Sequence, residues 1–279
     1  MESQDFIFLA GLLKTQSGLA LTMDKTYLLN SRLQPVAEQY GLKTISELIA
    51  RMRATLTPQL RQDVVEAMTT NETSFFRDVK PFEHLKDHVL PELLERRKQR
   101  RQLRILCAAA SSGQEPYSIA MLMAEQSARL AGWNVEILGI DLDTRILKRA
   151  EEGVYSQFEV QRGLPVQMMV KYFDERPNQT WAIKPQIRKM VRYRQCNLLH
   201  PFADLGQFDI IFCRNVLIYF DHPTKRDVLD RLDGQLARDG FLFLGGAETV
   251  IDVTQRFVSS LHRGAYTPRP ATETVRAVA

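Results

Sequence analysis

Apolar residues recur at helical spacing through the first third of this chain and gather into short runs afterwards, with the change of rhythm near residue 100. Phe6, Leu9, Leu12 and Leu13 form one stripe, Tyr27, Leu28 and Leu33 a second, and Ile45, Leu48, Ile49 and Met52 a third, with Thr44 placed to cap the third. Pro58 suits the first turn of a further helix carrying Leu60, Val64, Val65 and Met68. The spacing predicts a helical domain over 1–75. A linker helix within 76–102, bent or interrupted at Pro91, joins it to the rest of the chain.

From residue 103 the runs LRILCA, NVEILGID, MVRYRQC, FDIIFCRNVLIYF and FLFLGG read as strands, with two more near 256–268. Between them EPYSIAMLMAEQSARLAG, LDTRILKRAEEG and TKRDVLDRLDGQLARDG read as helices. This alternation predicts an α/β domain over 103–267, a doubly wound, mostly parallel sheet that binds its ligand at the carboxyl ends of the strands. The closing residues 268–279 are expected to be disordered.

Composition narrows the class. With 279 residues, 44% hydrophobic and 25% charged, the chain is long enough for two globular domains. Glu2, Asp5 and Lys14 surround an apolar stretch too short and too acidic for a signal peptide or membrane span, so a cytoplasmic protein that is not membrane-inserted is expected. Cys107, Cys196 and Cys213 are too scattered for a zinc site or disulfide framework and read as buried free thiols, with no metal expected. The formal charge of +4 comes partly from ERRKQRR at 95–101, which suits nucleic acid, an acidic protein or simply a solvated helix end.

Candidate chemistry starts in the segment LRILCAAASSGQEPYS, where a strand ends in small residues and Glu115 stands at the exit. The loop lacks both the G-x-G-x-x-G of dinucleotide sites and the G-K-[ST] ending of a P-loop. A carboxylate there would repel a pyrophosphate but attract an amine or sulfonium; its plainer role is to cap the helix dipole. Asp141 ends the next strand, where an acid can accept both hydroxyl hydrogens of a ribose, while Asp143 is the better helix cap. Together the two carboxylates point to S-adenosylmethionine, a sulfonium nucleoside without phosphate. Arg214 and Asn215 interrupt an apolar strand, either to meet a ligand carboxylate or to make a structural ion pair. Asn71, Thr73 and Arg77 pose the same question around two phenylalanines in TTNETSFFRD.

In order and spacing, TNETSFFRD, RILCAAASSGQEPYSIA, GIDLDTRILKRAEEGVYS, CNLL and FDIIFCRNVLIYF resemble the CheR family of chemotaxis-receptor glutamate O-methyltransferases. The resemblance covers almost the whole chain. It implies an N-terminal helical domain joined to an S-adenosylmethionine-binding α/β domain, with a small antiparallel β insertion expected near 178–193. It also implies methyl transfer to glutamates on the cytoplasmic helical region of chemoreceptors, with S-adenosylhomocysteine as the second product. Carried over by motif, the cofactor contacts fall on Asn71, Thr73, Arg77, Glu115, Asp141, Asn197, Leu198, Arg214 and Asn215. Tyr219 resembles the family tyrosine near the transferred methyl, with a wall residue as its plainer role; Arg77 or Tyr219 would orient the reacting carboxylate. Some family members add a receptor's C-terminal pentapeptide to the insertion, a possible tether here. Arg51, Arg53 and Arg61 are expected to help the helical domain dock on an acidic receptor helix.

Two loops depart from the family pattern. Ala109, Ala110, Ser112 and Gln114 stand where Gly, Cys, Thr and Glu are usual, which is expected to tighten the loop at Ala109. Gly245, Gly246, Ala247 and Glu248 replace a G-H-S-E, which puts hydrogen bonding from that loop in doubt. A nucleic-acid methyltransferase is the alternative enzyme, although RNVLIY stands where an N/D-P-P-Y/F motif would be, and no nucleic acid partner is expected. A non-enzymatic adaptor that senses S-adenosylmethionine is the alternative of another class.

Overall fold

The computed structural model describes residues 3–260 and 264–270. Four helices open the chain: α1 (Ser3–Ser17), α2 (Thr26–Gln39), α3 (Ile45–Ala54) and α4 (Pro58–Met68). They bury Phe6, Leu9, Leu13, Leu48, Ile49, Met52, Leu60 and Val64 in a core of their own. Thr44 and Thr57 cap α3 and α4 by accepting the backbone N–H of Glu47 and Leu60, and Pro58 follows in the first turn, where its missing N–H costs nothing. On α2 the core face differs from the predicted stripe: Tyr27 is exposed and Leu29, Leu33 and Val36 are buried. Adjacent leucines at 28 and 29 allow two phases, but only from Leu29 do the positions seven and eight ahead hold Val36 and Ala37, both buried.

The connecting helix runs as α5 (Lys80–His84), a π turn (Leu85–Val89) and α6 (Leu90–Arg96). Pro91 has no N–H for the carbonyl four residues back, and the widened turn before it absorbs the mismatch. Phe82, Leu85, Val89, Leu90 and Leu93 are buried with one face of the sheet, so this helix is a layer of the α/β body. The basic run after it is exposed along most of its length, as a solvated helix end is, and Arg97 is the exception. Arg97 is buried with its Nε 2.9 Å from Asp209 Oδ1 and its guanidinium paired with Asp239; Arg100 also pairs with Asp209, and Lys98 with Glu95. Asp209 is itself buried on a central strand, where a carboxylate is costly unless it is paired, and these cations pair it.

The main sheet contains β1 (Gln102–Ala108), β2 (Asn134–Asp141), β6 (Val191–Gln195), β7 (Phe208–Cys213), β8 (Leu236–Leu244), β9 (Phe257–Ser259) and β10 (Ala265–Pro268), in the order β6-β2-β1-β7-β8-β10-β9. The first five in that order are parallel, and β10 runs antiparallel to β8. Ile105, Cys107, Ile210 and Phe212 enter the core on one face, and Leu106, Ala108, Ile211 and Cys213 the core on the other. Helix α7 (Gln114–Glu125) follows β1 and α8 (Thr144–Glu152) follows β2. β8 starts at Leu236, inside the segment predicted as helix through residue 240, because Leu236 is buried and pairs with Phe208.

The antiparallel insertion is a three-stranded sheet of β3 (Val154–Ser156), β4 (Phe173–Arg176) and β5 (Thr180–Ile183), ordered β3-β5-β4. It therefore starts well before the predicted 178–193, and Val191–Gln195 joins the main sheet instead. Strands of three and four residues give too little alternation to stand out in sequence. At the far end, Pro268 closes β10. The rest of the segment expected to be disordered, from 271 on, lies outside the described residues.

Candidate functional site

β1 and β7 are neighbours, but the chain leaves them in opposite directions across the sheet, which opens a crevice at their carboxyl ends. The helical domain closes it from above. Asn197 Nδ2 donates to Gln16 O at 2.7 Å, Leu19 bridges to Phe220, Lys14 pairs with Asp221 at 2.7 Å, and Asn71 Nδ2 donates to Asp143 Oδ2 at 3.0 Å. The resulting cavity is lined by Asn71, Thr73, Arg77, Glu115, Asp141, Asn197, Leu198, Arg214, Asn215 and Tyr219. Every site residue singled out from the sequence thus faces one space, although they span residues 71 to 219.

The loop after β1 turns through left-handed residues, Ala109 (φ +62°), Ser111 (φ +51°) and Gly113 (φ +93°). Glycine is required at 113, where a Cβ would lie 2.6 Å from the Tyr193 hydroxyl as well as being strained. The turn delivers Glu115 into the first turn of α7, where the partial positive charge of the helix end favours a carboxylate. Glu115 Oε2 accepts from Arg214 Nη1 at 2.8 Å, and its other oxygen has no protein partner among the described residues. Burial pushes this carboxyl above its ordinary value, against the pull of Arg214.

Asp141 closes β2 and is buried. Its Oδ2 accepts the Ser111 N–H at 2.8 Å and its Oδ1 the Asp143 N–H at 3.1 Å, so each oxygen keeps a lone pair for a ligand hydroxyl. Burial raises its pKa, with the backbone N–H groups of Asp143, Ser111 and Leu142 pulling the other way. Capping falls to Asp143, which accepts the N–H groups of Arg145 and Ile146 at the start of α8.

Arg214 leaves the end of β7 with its side chain almost wholly buried. Nη1 goes to Glu115; Nη2 donates to the Arg77 carbonyl at 3.0 Å and to Asp78 Oδ2 at 2.7 Å. The structural ion pair is thus present, and Nε is buried with no hydrogen-bond partner among the described residues. Asn71 and Asn197 also spend their side chains on the protein: Asn71 braces Thr69 and Asp143, while Asn197 holds Gln16 and accepts the Leu199 N–H. Leu198 is an apolar wall, and Arg77 is anchored by Nη1 to the Glu72 carbonyl. Phe75 and Phe76, buried beneath Thr73 and Arg77, fix the segment; Phe75 meets Tyr155 and Phe173 edge-on at 5.0 and 5.5 Å. Tyr219 enters on a 3-10 turn, Leu217–Tyr219, and its hydroxyl has no protein hydrogen bond among the described residues.

Sequence reasoning missed several walls. Ser17, Leu19, Met68 and Phe220 line the cavity, as does half-buried Cys196, whose thiol burial pushes up in pKa. Leu19 and Phe220 carry only apolar bulk, which no motif marks. The altered loop around Glu248, where the sequence leaves hydrogen bonding in doubt, does hydrogen-bond: Glu248 accepts the N–H groups of Asn215 and Gly245, each at 2.7 Å, and of Ile218 at 3.3 Å.

The arrangement fits a cationic nucleoside. It offers a two-oxygen acceptor at Asp141, a carboxylate at Glu115 and an unused buried donor at Arg214 Nε. Comparison with known proteins agrees with that chemistry. Residues 71–264 match the family described as CheR methyltransferase, SAM binding domain, and residues 4–69 match CheR methyltransferase, all-alpha domain. The chain is 44% identical over 256 residues to chemotaxis protein methyltransferase 1 of Pseudomonas aeruginosa, covering 91% of this chain and 93% of that one. It is 44% identical over 241 residues to chemotaxis protein methyltransferase Cher2 of Pseudomonas putida, covering 85% and 87%. With the chemotaxis protein methyltransferase of Vibrio parahaemolyticus it shares 37% identity over 259 residues, covering 92% and 93%. Both domains therefore have their counterpart in one family, and the chain belongs to the CheR methyltransferases, with S-adenosylmethionine as its cofactor.

Proposed function

We propose that the protein transfers the methyl group of S-adenosylmethionine to glutamate side chains in the cytoplasmic helical region of chemoreceptors, giving glutamate methyl esters. The observation that carries this reading is the convergence of the five sequence motifs on one cavity roofed by the helical domain. When bound there, the cofactor supplies an electrophilic methyl on a sulfonium and leaves as a neutral thioether. Asp141 accepts hydrogen bonds from the ribose, Glu115 meets the ligand's amine, and Arg214 Nε donates to its carboxylate. Asn71, Thr73, Asn197, Leu198 and Asn215 complete the wall around it, largely by holding the backbone in place.

A glutamate with an ordinary pKa of about 4.3 is already an anion at neutral pH, so no general base is needed. The enzyme's work is alignment and removal of water, which in well-oriented systems is worth up to about 7 to 11 kcal/mol. Arg77 orients the incoming carboxylate, and the free hydroxyl of Tyr219 donates to it without the quenching a tight ion pair would bring. Docking of the receptor helix falls to Arg51, Arg53 and Arg61; Arg51 and Arg53 are exposed, and each lies over a ring of its own domain, Tyr40 and Phe8, with Arg53 also 3.1 Å from Asp5. β4, an outer strand of the small sheet, offers an edge to a receptor's C-terminal peptide.

Location in the cell belongs to the same reading: a cytoplasmic enzyme acting at the membrane on the inner parts of its receptors. No helix among the described residues is long and apolar enough to cross a membrane. The test is incubation with methyl-labelled S-adenosylmethionine and either chemoreceptor-containing membranes or RNA. Label on the receptors, released by mild base as methanol, is expected. Label on RNA, or base-stable label on protein, would refute the proposal.

A further inference from the structure

We infer that Glu248 is a positioning residue for methyl transfer, fixing through its carboxylate the turn that carries Asn215 and Tyr219 into the cavity. Glu248 does not line the cavity. It sits on the loop after β8 and reaches sideways to the loop after β7. Oε2 accepts the N–H of Asn215 and of Gly245, each at 2.7 Å, and Oε1 accepts the N–H of Ile218 at 3.3 Å. Its own N–H returns to the Gly245 carbonyl at 2.9 Å, which closes the loop on itself and holds the carboxylate in place.

The turn needs this support. Asn215 has φ +59°, a left-handed conformation that asparagine adopts more readily than most residues but that its surroundings still have to hold. Asn215 precedes and Ile218 sits within the first turn of the 3-10 segment, where backbone N–H groups lack an intrahelical acceptor, so one carboxylate satisfies both and sets the spacing between them. On either side the turn is pinned already: Arg214 by Glu115 and Asp78, and the Tyr219 carbonyl by the Ala20 N–H at 2.9 Å. Between those pins the buried Leu217 side chain and the Val216 carbonyl, which accepts the Tyr219 N–H at 3.2 Å, hold the far part of the turn. Glu248 ties its start at Asn215 and its middle at Ile218 to the loop after β8, and hence helps set the direction in which the free side chain of Tyr219 points. Gly245 shows how close the fit is. A Cβ there would lie 2.6 Å from Glu248 Oε2 and 2.8 Å from Asn215 Nδ2.

The inference rests on the reading of Tyr219 given above, and the experiment separates the two. Glu248→Gln, Tyr219→Phe and the double variant are compared for kcat on receptor membranes, for affinity toward S-adenosylhomocysteine and for thermal midpoint. Gly245→Ala serves as an independent way to displace the carboxylate. Glu248→Gln keeps shape but turns an N–H toward a backbone N–H. It is expected to lower kcat about tenfold and S-adenosylhomocysteine affinity about threefold, with the folded fraction unchanged at the assay temperature. Gly245→Ala should reproduce both losses. In the double variant kcat should fall no more than about twofold below the lower single variant, since both changes remove the same placement. Wild-type kcat in Glu248→Gln, or losses that multiply in the double variant, would overturn the inference. Wild-type kcat in Tyr219→Phe alone would overturn the role given to Tyr219. The role of Glu248 would then stand or fall on the threefold loss of affinity that the Asn215 turn predicts.

Discussion

Replacing Asp141 by alanine tests how the cavity holds its nucleoside. The carboxylate is buried, and each oxygen is already aimed by one backbone donor, Ser111 at 2.8 Å and Asp143 at 3.1 Å. No conformational freedom is therefore lost when two ribose hydroxyls donate to the remaining lone pairs. Hydrogen bonds to a charged acceptor are worth about 1.5 to 3 kcal/mol each, and two on one carboxylate fall short of full additivity. The expected loss is about 2 to 3 kcal/mol, or roughly 30- to 150-fold in Kd. Titration calorimetry with S-adenosylhomocysteine on the folded variant measures it. The pH dependence adds an independent sign: burial raises this carboxyl above the ordinary 3.8, and only its ionised form accepts from both hydroxyls. In the wild type, affinity should hold at neutral pH and fall as pH drops through the raised value; in Asp141→Ala that fall should shrink. Unchanged affinity in the variant would refute the reasoning and leave Asp141 as a brace between the loops at Ser111 and Asp143.

Tyr219→Phe should lower kcat about ten- to a hundredfold, or roughly 1.4 to 2.7 kcal/mol, with little change in S-adenosylhomocysteine affinity. Asp209→Ala strips the buried Arg97 of a partner and leaves the Arg104 N–H without its 2.9 Å acceptor, so urea denaturation should show a loss of about 3 to 5 kcal/mol. Ala109→Gly relieves a left-handed alanine at φ +62°; the relief of about 1 to 2 kcal/mol, less the entropy glycine adds to the unfolded chain, should raise the thermal midpoint by about 2 °C.

The helix stripes were legible because each carried enough turns to fix its phase, and the one that failed, on α2, failed where Leu28 and Leu29 stood side by side. The parallel strands were legible as short apolar runs between helices. The small sheet was not, since Val154–Ser156 and Thr180–Ile183 are too short to show a period. Buried ion pairs were the other blind spot. Arg97 in ERRKQRR reads as surface charge until Asp209, more than a hundred residues away, is brought beside it.

What sequence could indicate in the site was which residues meet; what it could not indicate was how much of that polarity is spent on the protein itself. Asn71, Asn197 and Arg214 all line the cavity, yet most of their hydrogen-bonding capacity goes to Asp143, Gln16, Glu115 and Asp78. The reason lies in the backbone. Phe76, Asp78, Val79, Ala109, Ser111 and Asn215 all have positive φ without being glycine, and all lie in the three loops that frame the cavity. Such conformations cost about 1 to 3 kcal/mol each and persist only where their surroundings hold them. Asp78 and Arg77 are held through Arg214, Ser111 through Asp141 and the Asn71 carbonyl, and Asn215 through Glu248. The polar side chains of the site thus serve two ends at once. They leave a few free atoms facing the cavity, at Asp141, Glu115, Arg214 and Tyr219, and use the rest to hold a strained backbone in the shape that aims them.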